Sequence, residues 1–193
     1  MHVLGCRMRE TVHGVRRGLW KARRALNLDM LMLAMRRGLG GAMMALVLCG
    51  SALAADPIVG VAAVVDGDTI QVDGTRIRLI GLDAPERAQL CTHVLTGASI
   101  YCGMEARRML SALLGHDEVS CLAEGEDRYG RLLAQCQIHG QDVGAIMVRS
   151  GWALAFVRYS HVYESQEAEA RAAGVGLWAT HFIPPWTWRK RSR

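Results

Sequence analysis

Asp66, Asp68 and Asp83 lie close together in the chain, the first two flanking Gly67 in a turn and the third at the end of a strand. Carboxylates on the adjacent ends of neighbouring strands make a hard oxygen site, suited to calcium or magnesium. Glu86 follows Asp83 by one turn of chain, and Pro85 restricts the backbone between them, holding Glu86 near the acids. Arg78 precedes Asp83 on the same strand, and Arg131 follows the turn Asp127-Arg128-Tyr129-Gly130. A cation can neutralise a phosphate oxygen and activate water. A carboxylate can take that water's proton. Guanidiniums offer paired donors to charge developing at phosphorus. Together these groups are what hydrolysis of a phosphodiester needs. Singly, each has a plainer reading. Asp66-Gly67 can be only a turn, Arg78 a solvated strand residue, Glu86 a surface acid and Arg131 a charge at a hairpin end. The chemistry rests on their combination.

The elements that must position these residues are legible from period and punctuation. Residues 58–65 form an apolar run that reads as a strand. Residues 69–73 alternate, as a half-buried strand does. Asp73-Gly74 is a hairpin turn signal, and residues 76–82 alternate again, so three strands form a meander. Residues 87–102 read as a loop. Ala106, Met109, Leu110, Leu113 and Leu114 give residues 104–114 helical spacing, ended by Gly115. Strands are expected at 117–123 and 131–138, and helices at 142–150 and 163–173. Leu177-Trp178 is expected to pack back on the core, and the segment ending in Arg189-Lys190-Arg191 is expected to fray. Five short strands and about three helices suggest an α+β, β-rich domain built on an OB-fold barrel.

Charge and cysteines bound the rest. The 193 residues carry 23 Lys/Arg and 18 Asp/Glu, a formal charge of +5. Nine of those cations and two of the acids fall in residues 1–54, so the remainder is slightly acidic. The basic balance of the whole chain is therefore no nucleic-acid signature for the domain; polyanion binding must come from locally placed arginines. Residues 38–54 are apolar and uncharged, follow Arg36-Arg37, and end in Ala52-Leu53-Ala54. That is the pattern of an export signal cleaved after Ala54, with a short membrane anchor as the rival. Met35 opens an ordinary signal of residues 35–54. Residues 1–34 then read either as an over-extended start or as a basic leader. The domain proper is expected at 55–180, with a basic tail at 181–193.

Cys91, Cys102, Cys121 and Cys136 follow the signal. An even count behind an export signal reads as two disulfides. Cys121 and Cys136 are equidistant from the centre of the 127–130 turn and can face each other across a hairpin, which leaves Cys91 with Cys102. Zinc is the rival, though no Cys-x-x-Cys pair is present. The histidines of this part, His93, His116, His139, His161 and His181, have no metal spacing and read as surface residues.

Val65-Asp66-Gly67-Asp68-Thr69, Arg78-Leu79-Ile80-Gly81-Leu82-Asp83-Ala84-Pro85-Glu86 and Asp127-Arg128-Tyr129-Gly130-Arg131 resemble the three signature segments of staphylococcal-nuclease-like (thermonuclease) domains. Gly151-Trp152-Ala153 and Gly176-Leu177-Trp178 resemble later segments of the bacterial secreted members. The resemblance implies an OB-fold barrel with three helices. It implies calcium held by Asp68, Asp83 and the backbone carbonyl of Ala84, with Asp66 supporting from behind. It implies Glu86 as general base and Arg78 and Arg131 on the scissile phosphate. Arg128, Tyr129 and Tyr159 are the expected substrate contacts.

Family members cleave DNA and RNA, leaving a 3'-phosphate. Single-stranded DNA, RNA or double-stranded DNA is thus the expected substrate of an exported, periplasmic or extracellular monomer. Such a protein needs no stable membrane anchor and no obligate protein partner. Three positions depart from the best-known member. Ala84 replaces a Thr, Arg128 a Lys, and Phe156 stands near an expected Tyr, for which Tyr159 or Tyr163 can substitute. Two other readings stay open: a non-catalytic nucleic-acid or protein-binding module on the same fold, and a disulfide-stapled envelope protein with another ligand.

Overall fold

The alternation across residues 58–79 becomes three antiparallel strands in the computed structural model, which describes residues 56–192. The expected leader 1–34 and signal 35–54, with its cleavage position at Ala54, lie outside the described residues. Strands β1 (Ile58–Asp66), β2 (Thr69–Val72) and β3 (Thr75–Leu79) form the meander. The β2–β3 hairpin closes through Asp73 (φ 47°) and Gly74 (φ 81°). Two successive positive φ angles give the turn whose twist matches paired strands, which is why Asp-Gly sits there. Two very short strands, β4 (Leu82–Asp83) and β10 (Leu154–Ala155), pair with Asp83 opposite Leu154.

The second long hairpin is β7 (Glu118–Glu126) with β8 (Leu132–Ile138), extended by β9 (Gln141–Asp142). β1 pairs antiparallel with β7, and β8 returns to pair in parallel with β3. That last pairing closes β1, β2, β3, β7 and β8 into a five-stranded barrel. Ile70, Val72, Ile77 and Leu79 point into it and are buried. Helix α1 (Cys102–Leu114) lays Ala106, Leu110 and Leu114 on the same core, the four-residue repeat of one helix face. α2 (Val143–Arg149) starts at Asp142, whose carboxylate caps the Ala145 N–H. α3 (Glu164–Ala173) stops at Gly174 in the left-handed conformation.

The structure differs from the sequence reading in three segments. The strand expected at 76–82 breaks at Ile80-Gly81, where Gly81 takes a positive φ of 76°, so Arg78 lies on β3 and Asp83 on β4 rather than on one strand. Residues 87–102 are not only loop: β5 (Leu90–His93) and β6 (Ser99–Tyr101) form a hairpin, and β11 (Thr180–His181) pairs with β5. The strands are too short to show period. The chain end does not fray. It forms α4 (Pro185–Arg191), a fourth α-helix beyond the expected three, with Pro185 at its first turn. There the fixed φ of proline favours a helix start, and the missing N–H costs nothing.

Leu177 is fully buried in a smaller cluster with Cys91, Cys102 and Leu154, flanked by Trp152, Trp178, Phe182 and Trp186. Two disulfides are present, Cys91–Cys102 and Cys121–Cys136, the latter joining directly opposed residues of β7 and β8. Among the described residues, no helix is long and apolar enough to cross a membrane.

Candidate active site

Strand register brings the acids and Arg78 together. Thr69 of β2 lies opposite Arg78 of β3, so Asp68, one residue earlier, ends up beside the Arg78 side chain. The Leu79 N–H donates to the Asp68 carbonyl at 2.9 Å and fixes that turn to β3. Arg78 Nη1 donates to Asp68 Oδ1 at 2.9 Å, and Nη2 lies 2.9 Å from Asp68 Oδ2 and 2.8 Å from Asp83 Oδ1. A carboxylate from the β1–β2 turn and one from β4 thus share one guanidinium nitrogen. Thr69 Oγ1 and the Ala84 N–H also donate to Asp68, at 2.9 and 3.2 Å. The backbone that carries the Ala84 carbonyl is therefore tied to the acid pair.

Gly67 is required by space rather than by conformation. A Cβ there would stand 2.7 Å from Ala84 Cβ and 2.8 Å from Ala106 Cβ. Gly103 plays the matching part on α1. A Cβ at that position would overlap the Glu86 carbonyl oxygen, so the helix can approach the Glu86 backbone only as glycine. Gln89 is fully buried below. Its side-chain oxygen faces the Glu86 N–H at 3.4 Å, and its amide donates to the Ile183 carbonyl at 2.6 Å. This residue links the Glu86 turn to the C-terminal segment.

The electrostatics are those of crowded acids. Burial, and after it the charge of Asp68, pushes the Asp66 carboxyl up to about 6. Burial raises Asp83 too, against the opposing pull of Arg189 and Arg78. For Arg78, burial alone would weaken the charged form, but Asp68 and Asp83 outweigh it and hold the guanidinium charged. Among the described residues, no three His, Cys, Asp or Glu side chains form a ready-made metal cluster. What converges is an oxygen-only pair, Asp68 with Asp83, whose charge is met by guanidiniums. Buried carboxylates of this kind fit a hard divalent cation, with backbone carbonyl and water completing its oxygen shell.

One member of the site escaped sequence reasoning. Arg189 of α4 lies on Asp83 and Glu86: Nη2 is 2.6 Å from Asp83 Oδ2, and Nη1 is 3.0 Å from Asp83 Oδ1 and 2.9 Å from Glu86 Oε1. Glu86 thereby stands next to Asp83, bridged by one nitrogen. The only signal available was Pro184-Pro185 ahead of an Arg-rich end, a helix start that could have been read.

Arg131 is placed differently from Arg78. Its Nε and Nη2 hold Asp127 Oδ2 at 2.8 and 2.7 Å, and Asp127 Oδ1 also accepts from the Tyr129 and Arg131 N–H groups. The guanidinium is therefore seated on the hairpin turn rather than on the acid pair. Both arginines line a cleft of about 790 Å³, together with Arg128, Tyr129, Phe156 and Tyr159. Arg128 and Arg131 lie 5.0 and 5.7 Å from the Tyr129 ring centre. Tyr159 is 76% exposed, and its ring packs edge-on to Phe156. Tyr163 also borders the cleft, but its buried hydroxyl is committed to Asp142 at 2.9 Å. Of the two tyrosines weighed as substitutes beside Phe156, only Tyr159 presents itself to solvent.

Residues 76–180, more than half of the chain, match the family described as staphylococcal nuclease homologue. That span holds Arg78, Asp83, Glu86 and Arg131, and Arg78 ties Asp68 to it. The chain is 37% identical over 148 residues to the succinoglycan biosynthesis protein ExoI of Rhizobium meliloti, covering 75% of this chain and 77% of that protein. It is 32% identical over 136 residues to an uncharacterized endonuclease of Haemophilus influenzae, covering 66% and 70%. It is 35% identical over 121 residues to the staphylococcal-like nuclease CAN1 of Arabidopsis thaliana, covering 61% of this chain and 34% of that longer protein. Relatives named as nucleases support a nuclease function, and with the β-rich barrel and the matched span the chain belongs to the staphylococcal nuclease family.

Proposed function

We propose that the chain is an exported, calcium-dependent nuclease that hydrolyses phosphodiester bonds of DNA or RNA. The observation that carries this reading is the position of Arg78, which lies on both Asp68 and Asp83 while also lining the cleft that Arg131 reaches. Asp68 and Asp83, with the Ala84 carbonyl, are the groups that would hold the ion, and Asp66 would support Asp68 from behind. A calcium ion there would supply charge neutralisation at a phosphate oxygen and a more acidic water.

The remaining chemistry belongs to the side chains. Glu86 takes the proton of the attacking water as its oxygen bonds to phosphorus. Arg78 and Arg131 donate to the phosphate oxygens that gain charge, Arg131 with the donors not used on Asp127. The bond from phosphorus to the 5' oxygen breaks, that oxygen leaves as a hydroxyl with a proton from solvent, and the other product keeps its phosphate on the 3' side. Arg128, Tyr129 and Tyr159 form the wall on which the substrate strand lies, guanidinium against phosphate and ring against base. The two disulfides suit an oxidising compartment, periplasmic or extracellular. The same reading makes the protein a monomer without a stable membrane anchor or obligate partner.

One observation favours a second reading, a binding module without catalysis: Arg189 occupies the oxygens of Asp83 and Glu86. Cleavage decides between them. Oxidised protein is incubated with single-stranded DNA and with RNA, in calcium and in excess chelator, beside Glu86→Ala. Calcium-dependent cleavage that is lost in Glu86→Ala supports the nuclease. Binding without cleavage by folded wild type leaves the module.

A further inference from the structure

Both oxygens of Asp83 are already taken. Oδ1 accepts from Arg78 and from Arg189, and Oδ2 accepts from Arg189 at 2.6 Å. The Asp83 side chain is fully buried, so water has no room to share these oxygens. The two arginines are not equally fixed. Arg78 sits on β3, paired on one side with β2 and on the other with β8. Arg189 sits on α4, a helix of seven residues, and its side chain is 32% exposed.

The segment that leads into α4 is anchored, but at points short of Arg189. β11 pairs with β5, and Gln89 holds the Ile183 carbonyl. Beyond Pro184, the stack of Trp186 on Phe156, 5.4 Å between centres, fastens the helix to the cleft wall. The hydrogen bonds point the same way. Arg189 takes one oxygen of Asp83 alone and shares the other with Arg78, so an ion that binds Asp83 has to compete with it.

We propose that Arg189 is a built-in cation that closes the site and competes with the divalent ion for Asp83, so that ion binding releases the Arg189 end of α4 from the acid cluster. This inference rests on the metal reading of Asp68 and Asp83 given above. It assigns α4 as a latch: shut, it neutralises Asp83 and holds Glu86 by one oxygen; open, it frees Glu86 and the Asp83 oxygens together. The coupling runs both ways, since whatever loosens α4 tightens ion binding by the same factor.

The test uses calcium chloride and the oxidised protein, with two readouts besides activity. Calorimetry compares calcium affinity in wild type and Arg189→Gln. Hydrogen exchange follows the amides of residues 186–192 with and without calcium. Binding tighter by about tenfold in Arg189→Gln is expected, because the competing state is removed. Calcium is expected to speed exchange of 186–192 in wild type and to change it little in the variant. Arg189→Lys, whose single ammonium cannot span Asp83 and Glu86 at once, should fall between the two in affinity. It also serves if Arg189→Gln fails to fold, and exchange in wild type needs no variant at all.

Equal calcium affinity in all three proteins, with exchange of 186–192 unchanged or slowed by calcium, overturns the latch and leaves the metal reading standing. No calcium binding by wild type or either variant overturns both.

Discussion

Arg78 and Arg189 meet on the same carboxylate, yet they arrive by different routes. Arg78 is carried by β3, the strand at which the barrel closes, with Ile77 and Leu79 locked in the core on either side. To move it would be to open the barrel. Arg189 is carried by a seven-residue helix whose Trp186 stacks on Phe156 and packs against the cluster that holds Cys91 and Cys102. Identical side chains on one acid therefore have unequal standing. The barrel side supplies geometry that persists through a reaction, and the terminal side supplies charge that can leave. Local stability in a fold is set by such differences in anchoring.

The largest test of that contrast is Arg78→Ala. It should lower the cleavage rate by about a hundredfold or more, the scale of losing one donor to transition-state charge. Arg189→Gln should instead lower the calcium concentration that gives half-maximal cleavage. If the two variants behaved alike, the contrast between the two sides would be broken.

Removing the disulfides sharpens it next. Cys121 and Cys136 staple two strands of the barrel, and their removal should cost about 3 kcal/mol in denaturant unfolding, the scale for a 15-residue separation. Cys91 and Cys102 close a comparable loop of 11 residues, but on the side that seats Gln89 and α4. Replacing both of these with Ala should alter calcium affinity as well as stability, which the barrel pair should not.

Gly103→Ala tests the seam between the sides. The new methyl meets the Glu86 carbonyl oxygen, and overpacking of this kind costs about 1–3 kcal/mol. Thermal melts should show that loss, and cleavage should fall further than stability alone explains, because Glu86 is displaced.

The smallest effect belongs to Arg131. Its partner Asp127 is held below the ordinary carboxylate range: burial would raise it, but hydrogen bonds from Arg131 and Tyr129 outweigh that. A carboxylate lowered on folding stabilises above its unfolded pKa, and that contribution fades as pH falls through the folded value. Asp127→Asn should therefore destabilise by at most about 1 kcal/mol near neutral pH. The difference from wild type should vanish in acid, once pH has fallen through the folded value of Asp127.

Sequence legibility followed the same division. The barrel strands announced themselves because one face is buried and the period is two, as in Ile70-Gln71-Val72 and Ile77-Arg78-Leu79. Asp73-Gly74 set the hairpin, and the hairpin set the register that lays Asp68 against Arg78. The cross-strand cysteines were readable for the same reason: a symmetric hairpin fixes who faces whom. Arg189 was not readable. It reaches Asp83 across more than a hundred residues, and nothing periodic marks a seven-residue helix beyond a proline start. The β5–β6 hairpin is too short to alternate. Gly103 could not be told from any helical glycine until Glu86 was seen packed against it. The Asp127–Arg131 pair was within reach, being four residues apart around a turn, but the local partner was passed over in favour of a distant role.

The central claim is that the Asp68–Asp83 pair is the centre of a nuclease, and Asp83→Asn tests it most directly. The substitution keeps the shape of the side chain and removes one charge. In calcium, with single-stranded DNA as substrate, the folded variant should cleave at least about a hundredfold more slowly than wild type. Cleavage by folded Asp83→Asn at the wild-type rate would contradict the account.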